Sequence, residues 1–190
     1  MNNQNKNKIF FISGPSTVGK NTIVDGVKKL IPELEETVSC TTRQKRPYEK
    51  NKVHYHFLSK KEFEQKIKND EFLEYFEVHG KYYGTLKSEI DRIIKNNHIP
   101  LAIIDVQGAL YAKKHNPNVV LIFIEPDSLE ILEKRLRARN IDSAEFEIRL
   151  KNAKNELMQA KFYNYRVINH LGKVKKAIQE VAEIIKKNRS

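Results

Sequence analysis

Short apolar runs alternate with amphipathic stretches along most of this chain, and the alternation predicts strands and helices in turn. Lys8-Ile-Phe-Phe-Ile-Ser13 has the length and composition of a buried parallel strand, with turn chemistry directly behind it. From about Lys20 to Ile31 the apolar positions Ile23, Val27, Leu30 and Ile31 share one helical face, which Pro32 ends. A second run, Leu101-Ala-Ile-Ile-Asp105, precedes a helix near Gln107 to His115. A third, Val119 to Ile124, precedes a helix opening after Pro126, with Asp127 or Ser128 as its cap. Near Lys173 to Lys187, Val174, Ala177, Ile178, Val181, Ile184 and Ile185 form a single stripe. Strands alternating with helices predict the α/β class, a parallel sheet flanked by helices.

Two segments break that pattern. Thr37 to Lys87 holds short alternating stretches, Lys52 to Leu58 and Glu71 to Val78, around a helix near Lys60 to Asn69. Five of the eight tyrosines fall there, and the segment reads as an inserted α+β lobe. Arg135 to about Lys161 reads as a charged helical hairpin with little apolar periodicity at its tip, hence a mobile cover. The expected partition is one unit: a core of about 8–36, 88–134 and 163–187, a lobe of about 37–87 and a lid of about 135–162.

Composition narrows the setting. With 190 residues the chain can bury one substantial core. No apolar run approaches the roughly 20 residues that span a bilayer, and the polar, Asn- and Lys-rich start resembles neither a secretory nor a transit segment. One cysteine, Cys40, cannot close an internal disulfide, so a reducing, cytoplasmic compartment is expected. The formal net charge of +11 allows either a nucleic-acid surface or a site for anionic small molecules. Lysines are 26 of the 35 basic residues and are scattered along the chain, which favours a solvated surface over a binding stripe. No nucleic-acid signature appears. Six of the nine arginines fall in two segments, near residues 43–46 and 135–149.

The strongest chemical signal is Gly14-Pro15-Ser16-Thr17-Val18-Gly19-Lys20, set between a strand and a helix. Glycines let the backbone curl so that its N–H groups cradle phosphate oxygens. The helix N-terminus adds a positive end, and Lys20 can reach the β- and γ-phosphates of a nucleotide. The residue after the lysine is ordinarily Ser or Thr, whose hydroxyl ligates magnesium. Here it is Asn21, followed by Thr22, and an Asn amide oxygen is a legitimate hard ligand for Mg2+.

Ser39-Cys-Thr-Thr-Arg43-Gln-Lys-Arg46-Pro47, with Tyr55, Glu74, Tyr82-Tyr83-Gly84-Thr85 and Asp105-Val-Gln-Gly108, resembles guanylate kinase from about Ile9 to Ile185. The resemblance implies a phosphoryl transfer from ATP to GMP that supplies guanine nucleotides, with Mg2+ accompanying ATP and dGMP as a further acceptor. It implies that Gly14 to Thr22, Arg139 and Asn169 serve ATP. Arg43 and Arg46 would clamp the GMP phosphate, as guanidinium forks suit phosphate oxygens, with Tyr55 and Tyr83 beside them. Glu74 and Asp105 would accept the guanine N1–H and 2-amino hydrogens, with Ser39 and Thr85 at the same edge. Lys20, Arg43, Arg135 and Arg149 would be the catalytic groups, the lid arginines spreading charge off the transferring group. A monomer or weak homo-oligomer is expected, without nucleic-acid or membrane partners.

Several positions depart from the family pattern. Ile103 stands where an acid is usual, Ala138 and Asn140 replace lid glycines, and His170 follows Asn169 where an acid is common. His54 and His56 alternate, but no third ligand stands at metal spacing, so a zinc site is not expected. The rival reading is a non-catalytic interaction module of the same fold, against which stands the intact loop lysine Lys20.

Overall fold

The computed structural model describes residues 7–78, 80–139 and 141–189; Asn140 lies outside them. In chain order the elements are β1 (Ile9–Ser13), α1 (Lys20–Leu30), β2 (Leu34–Glu36), β3 (Cys40–Thr41), β4 (His56–Phe57), α2 (Lys60–Lys68), β5 (Phe72–Val78) and β6 (Lys81–Leu86). Then come α3 (Lys87–Lys95), β7 (Ile99–Ile103), α4 (Val106–His115), β8 (Val119–Pro126), α5 (Leu129–Arg137), α6 (Ser143–Gln159), β9 (Tyr165–Asn169) and α7 (Val174–Asn188).

β1 is central in a five-stranded sheet of order β2-β7-β1-β8-β9, and every pairing in it is parallel. Successive side chains of β1 point to opposite faces, which is why this strand is apolar throughout. Phe10 and Ile12 pack with Val24 and Val27 of α1 and Val181 and Ile185 of α7. Ile9 and Phe11 face the other way, onto Ile90 of α3 and Val106, Ala109 and Ala112 of α4. Fully buried phenylalanines such as Phe10, Phe11 and Phe123 each contribute about 1.5–3 kcal/mol of apolar burial. Among the described residues no helix is long and apolar enough to cross a membrane.

The second sheet has the order β4-β3-β6-β5, with β3–β6 and β5–β6 antiparallel and β3–β4 parallel. Its small core is aromatic: Phe63 of α2 stacks on Phe72 at 4.3 Å and on Tyr82 at 5.2 Å between centroids. The alternation of Lys52 to Leu58 yields less strand than expected. Only His56–Phe57 pairs as one. Lys52 has φ +62°, and its N–H donates to Tyr55 O in a tight turn. His54 Nδ1 accepts from Lys50 N, so the imidazole caps that turn. Among the described residues no cluster of three or more His, Cys, Asp or Glu is placed to hold a metal.

The 135–162 segment also differs from expectation. It has a core of its own: Leu132 and Leu136 of α5 pack with Phe146, Leu150 and Ala153 of α6. Spacings of four, four and three put these on single faces, and the charged residues on the opposite faces hide them in the sequence. α5 begins at Leu129, where Ser128 Oγ accepts from Ile131 N. Asp127 instead receives Leu171 N at 2.6 Å and pairs with His170. The amphipathic α3, with Ile90 and Ile93 buried, has no counterpart in the pattern reading.

Candidate functional site

β1 runs directly into the phosphate loop, at the carboxyl end of the parallel sheet where α/β folds open a crevice. Gly14 has φ +147°, and a Cβ there would sit 2.3 Å from Ile124 O, so only glycine fits. Gly19 has φ +100°, and a Cβ would lie 2.6 Å from Asn169 Nδ2. Asn169, at the end of β9, braces the loop by donating that Nδ2 to Val18 O at 2.7 Å. Thr17 also lies in the left-handed region at φ +66°. The Lys20 ammonium donates to Gly14 O and, at 3.0 Å, to Pro15 O, so it folds back over its own loop. Burial pushes its pKa down; the carboxylates of Glu156 and then Asp105 pull it up, and Arg139 opposes them. Asn21 and Thr22 are exposed on the first turn of α1.

The 135–162 hairpin brings its guanidiniums to the same loop. Arg135 Nη1 lies 3.4 Å from Val18 O, and Arg149 Nη1 lies 3.3 Å from Ser16 Oγ. Arg149 is aimed by two donations to Glu145 Oε1, one turn earlier on α6.

Across from the loop, β5 and β6 form one wall of a cavity of about 200 Å³, with Ile103 and Asp105 from the end of β7 on the other side. Ser39, Tyr55, Glu74 and Tyr83 also line it. Glu74 is 1% exposed. Its Oε2 and the Oγ1 of Thr85, its cross-strand neighbour, have no hydrogen-bond partner among the described residues. Burial pushes the Glu74 carboxyl up to about 7; Thr85 beside it opposes the rise and the Asp105 charge adds to it. Gly108 makes room: a Cβ there would stand 2.6 Å from Glu74 Oε2. Asp105 has two tasks, since its Oδ1 caps α4 by accepting from Gln107 N at 2.8 Å.

At the outer end of this cavity Arg43 is held by a residue that the sequence reading overlooks. Glu49 accepts from Arg43 Nη1 at 3.0 Å and Nη2 at 2.7 Å, and from Arg46 N at 2.8 Å. That pairing draws the Glu49 carboxyl down to about 2. The Arg43 guanidinium also lies 5.5 Å from the centroid of Tyr55. Arg46 is exposed and reaches Tyr48 Oη at 2.9 Å. The signal for Glu49 was an acid three residues after Arg46 in an otherwise basic stretch. Cys40 is buried, and burial pushes its thiol up to about 12, which leaves no nucleophile there.

A glycine-bearing strand–loop–helix turn with its lysine and the hairpin arginines stands apart from the Arg43–Glu49 pair and the buried Glu74 carboxyl. That is the arrangement of a P-loop phosphotransferase acting between nucleotides. Residues 6–188 match the guanylate kinase family model. The guanylate kinase of Fusobacterium nucleatum is 42% identical over 178 residues, 93% of this chain and 95% of that protein. That of Thermotoga maritima is 38% identical over 97% of this chain and 89% of that protein. The crystal structure of guanylate kinase from Anaplasma phagocytophilum superposes with a TM-score of 0.74 at 29% identity, covering 96% of this chain and 86% of that one. The chain belongs to the guanylate kinase family.

Proposed function

We infer that this chain transfers the γ-phosphoryl group of ATP to the phosphate of GMP. Membership of the family supports the reaction. The observation that carries the choice of acceptor is Glu74 Oε2, a buried carboxylate oxygen without a hydrogen-bond partner among the described residues, in a cavity shared with Asp105. Guanine offers N1–H and a 2-amino group to such acceptors, whereas adenine presents an acceptor at N1 and no 2-amino group. Sites built on buried polar groups reject the wrong ligand by orders of magnitude, because the groups are then left unpaired.

The mechanism is in-line transfer without a covalent enzyme intermediate. ATP lies on the loop from Gly14 to Thr22, with Lys20 moving from the loop carbonyls to the β- and γ-phosphates. Arg43, held in line by Glu49, and Arg46 grip the GMP phosphate, with Tyr55 and Tyr83 alongside, while Ser39 and Thr85 complete the base edge. Arg135, Arg139 and Arg149 spread the charge that develops on the transferring group. Closure of the 135–162 segment over the crevice excludes water, which would otherwise hydrolyse ATP. Asn169 supports the ATP side by fixing the loop at Val18.

The donor set suits a cation carried in with the nucleotide. Magnesium keeps several waters and takes one or two protein oxygens beside phosphate oxygens, and the Asn21 amide, exposed on the first turn of α1, would be such a ligand. When bound there, the ion would neutralise β,γ-phosphate charge. ATP as donor and the lone thiol of Cys40 support a cytoplasmic setting.

The test is a screen of the common nucleoside monophosphates with ATP and magnesium. GMP should be the preferred acceptor, dGMP weaker, and AMP, CMP and UMP slower by roughly 100-fold or more. Equal turnover of AMP and GMP would overturn the assignment of Glu74 and Asp105.

A further inference from the structure

No step of the transfer described above uses Glu156. On α6 the residues Glu145, Arg149, Asn152 and Glu156 follow at intervals of four, three and four, so they line one face of the helix. The adjoining face, about 100° around the helix, carries Phe146, Leu150 and Ala153 against α5. Half-buried, Glu156 borders two cavities at once. One, shared with Ser16, Arg149 and Asn152, opens on the phosphate loop. The other, shared with Asp105, Glu77 and Asn152, opens beside the acid end of the crevice. No hydrogen bond or ion pair among the described residues engages its carboxylate.

The charges around Glu156 come from every element that faces it. Lys20 at the start of α1 attracts it and Asp105 at the cap of α4 repels it, while burial pushes its pKa up. The Tyr163 hydroxyl, behind them, feels both carboxylates. Lys20 in turn is drawn by Glu156 ahead of Asp105 and repelled by Arg139. Its hydrogen bonds, among the described residues, go to the Gly14 and Pro15 carbonyls of its own loop.

We propose that Glu156 is a positioning residue for the phosphoryl transfer, whose carboxylate draws the Lys20 ammonium off the loop carbonyls and holds it where donor and acceptor phosphates meet. The proposal rests on the phosphotransfer reading. Arg135 and Arg149 reach the loop and Arg139 adds to the positive field on Lys20, and in that field an ammonium without a counter-ion is pushed back onto its loop. Arg149 and Glu156 stand on one face of one helix, two turns apart, so whatever brings the first to the phosphates brings the second to the lysine. A carboxylate facing a triphosphate also repels it. Glu156 therefore adds nothing to ground-state ATP binding, and its contribution to kcat comes from the placement of Lys20 at the transferring group.

The experiment compares the full-length chain with Glu156→Gln and Glu156→Asp. ATP affinity is measured without acceptor, kcat and KM with GMP and magnesium, and Tm for each. With Glu156→Gln we expect kcat to fall roughly 10- to 100-fold and KM for GMP to stay within about twofold. ATP affinity should be unchanged or tighter and Tm unaltered, and Glu156→Asp should recover part of kcat. A merely structural role would lower kcat, ATP affinity and Tm together, and that result overturns the proposal. So does an unaltered kcat in Glu156→Gln when the wild-type chain phosphorylates GMP. A wild-type chain that leaves GMP unphosphorylated overturns the phosphotransfer reading itself, and this inference with it.

Discussion

The phosphate loop and the acid-lined cavity meet in one crevice but solve opposite problems. In the loop the charged side chains rest on the chain itself, while the buried Thr17 Oγ1 and Asn169 Oδ1 have no hydrogen-bond partner among the described residues. Lys20 rests on Gly14 O and Pro15 O, Asn169 holds Val18 O, and Arg149 touches Ser16. The lysine and arginine contacts can be exchanged for phosphate oxygens, whereas the buried Asn169 bond braces the loop from outside it. The cavity keeps Glu74 Oε2 and Thr85 Oγ1 buried, with no hydrogen-bond partner within normal geometry among the described residues. Backbone N–H groups and cations in the loop do not distinguish one base from another. The cavity presents carboxylate acceptors, which favour a ligand with donors facing them. On the proposed reading, affinity for phosphate comes from backbone and charge, and choice of base from the acid-lined cavity.

The sharpest way to break the comparison is Lys20→Ala. Loss of a preorganised cation at the transferring phosphates should lower kcat by roughly 100- to 1000-fold, with GMP affinity within about twofold, since the cavity does not depend on the loop. Steady-state kinetics together with a GMP binding titration would check this. A loss of GMP affinity as large as the loss of kcat would show that the two regions are not independent.

Glu74→Gln addresses the other side. Preference for GMP over AMP should fall by roughly 100-fold with KM for ATP little changed, read from kcat/KM for each acceptor. The same variant carries a pH signature. The Glu74 carboxyl is raised to about 7 from an ordinary 4.5, so the folded chain favours its protonated form. Its contribution to stability is fully present below the ordinary carboxylate pKa and is lost as pH rises through about 7. Relative to the wild type, the Glu74→Gln variant should therefore be unchanged near pH 4 and more stable near pH 8 in thermal melts. GMP binding by the wild type should strengthen as pH rises through 7, because guanine donors need the ionised acceptor, and the variant should lack this component.

The smallest effect concerns the cation. The exposed Asn21 lies at the loop and Ile103 on the wall of the cavity, and neither supplies the hydroxyl or carboxylate usual in the family. Asn21→Ser and Ile103→Asp together should lower the magnesium concentration giving half-maximal rate by a few-fold, roughly. A competition titration with a fluorescent magnesium indicator in the presence of ATP should show the same change. An unchanged midpoint in both would mean that the nucleotide phosphates hold the ion.

Much of the parallel sheet could be read directly from the chain, because a strand buried on both faces must be apolar throughout and its crossover helices must be striped. β1, α1, β8 and α7 stand where the pattern put them, and the loop from Gly14 to Lys20 follows β1 as its glycines require. Short-range rules were enough there, since backbone sterics and burial act within a few residues. They were not enough where the partner is distant or the apolar face narrow. The stripes of α5 and α6 were hidden under charge, and the turn at Lys52 displaced an expected strand. Glu49 became visible only once folding set its carboxylate against Arg43, and Glu156 only once α6 carried it to a cavity shared with Ser16 of the phosphate loop. The sequence by itself determined the class of fold and the turn from Gly14 to Lys20, and its resemblance to a family named the residues proposed for a guanine site. Only the tertiary structure decided that Glu74 is buried with no partner for its Oε2 among the described residues, that Gly108 leaves it room, and which acids stand as counter-ions to which bases. Pair energies between charges depend on separation and desolvation, and both are properties of the packed chain rather than of its order.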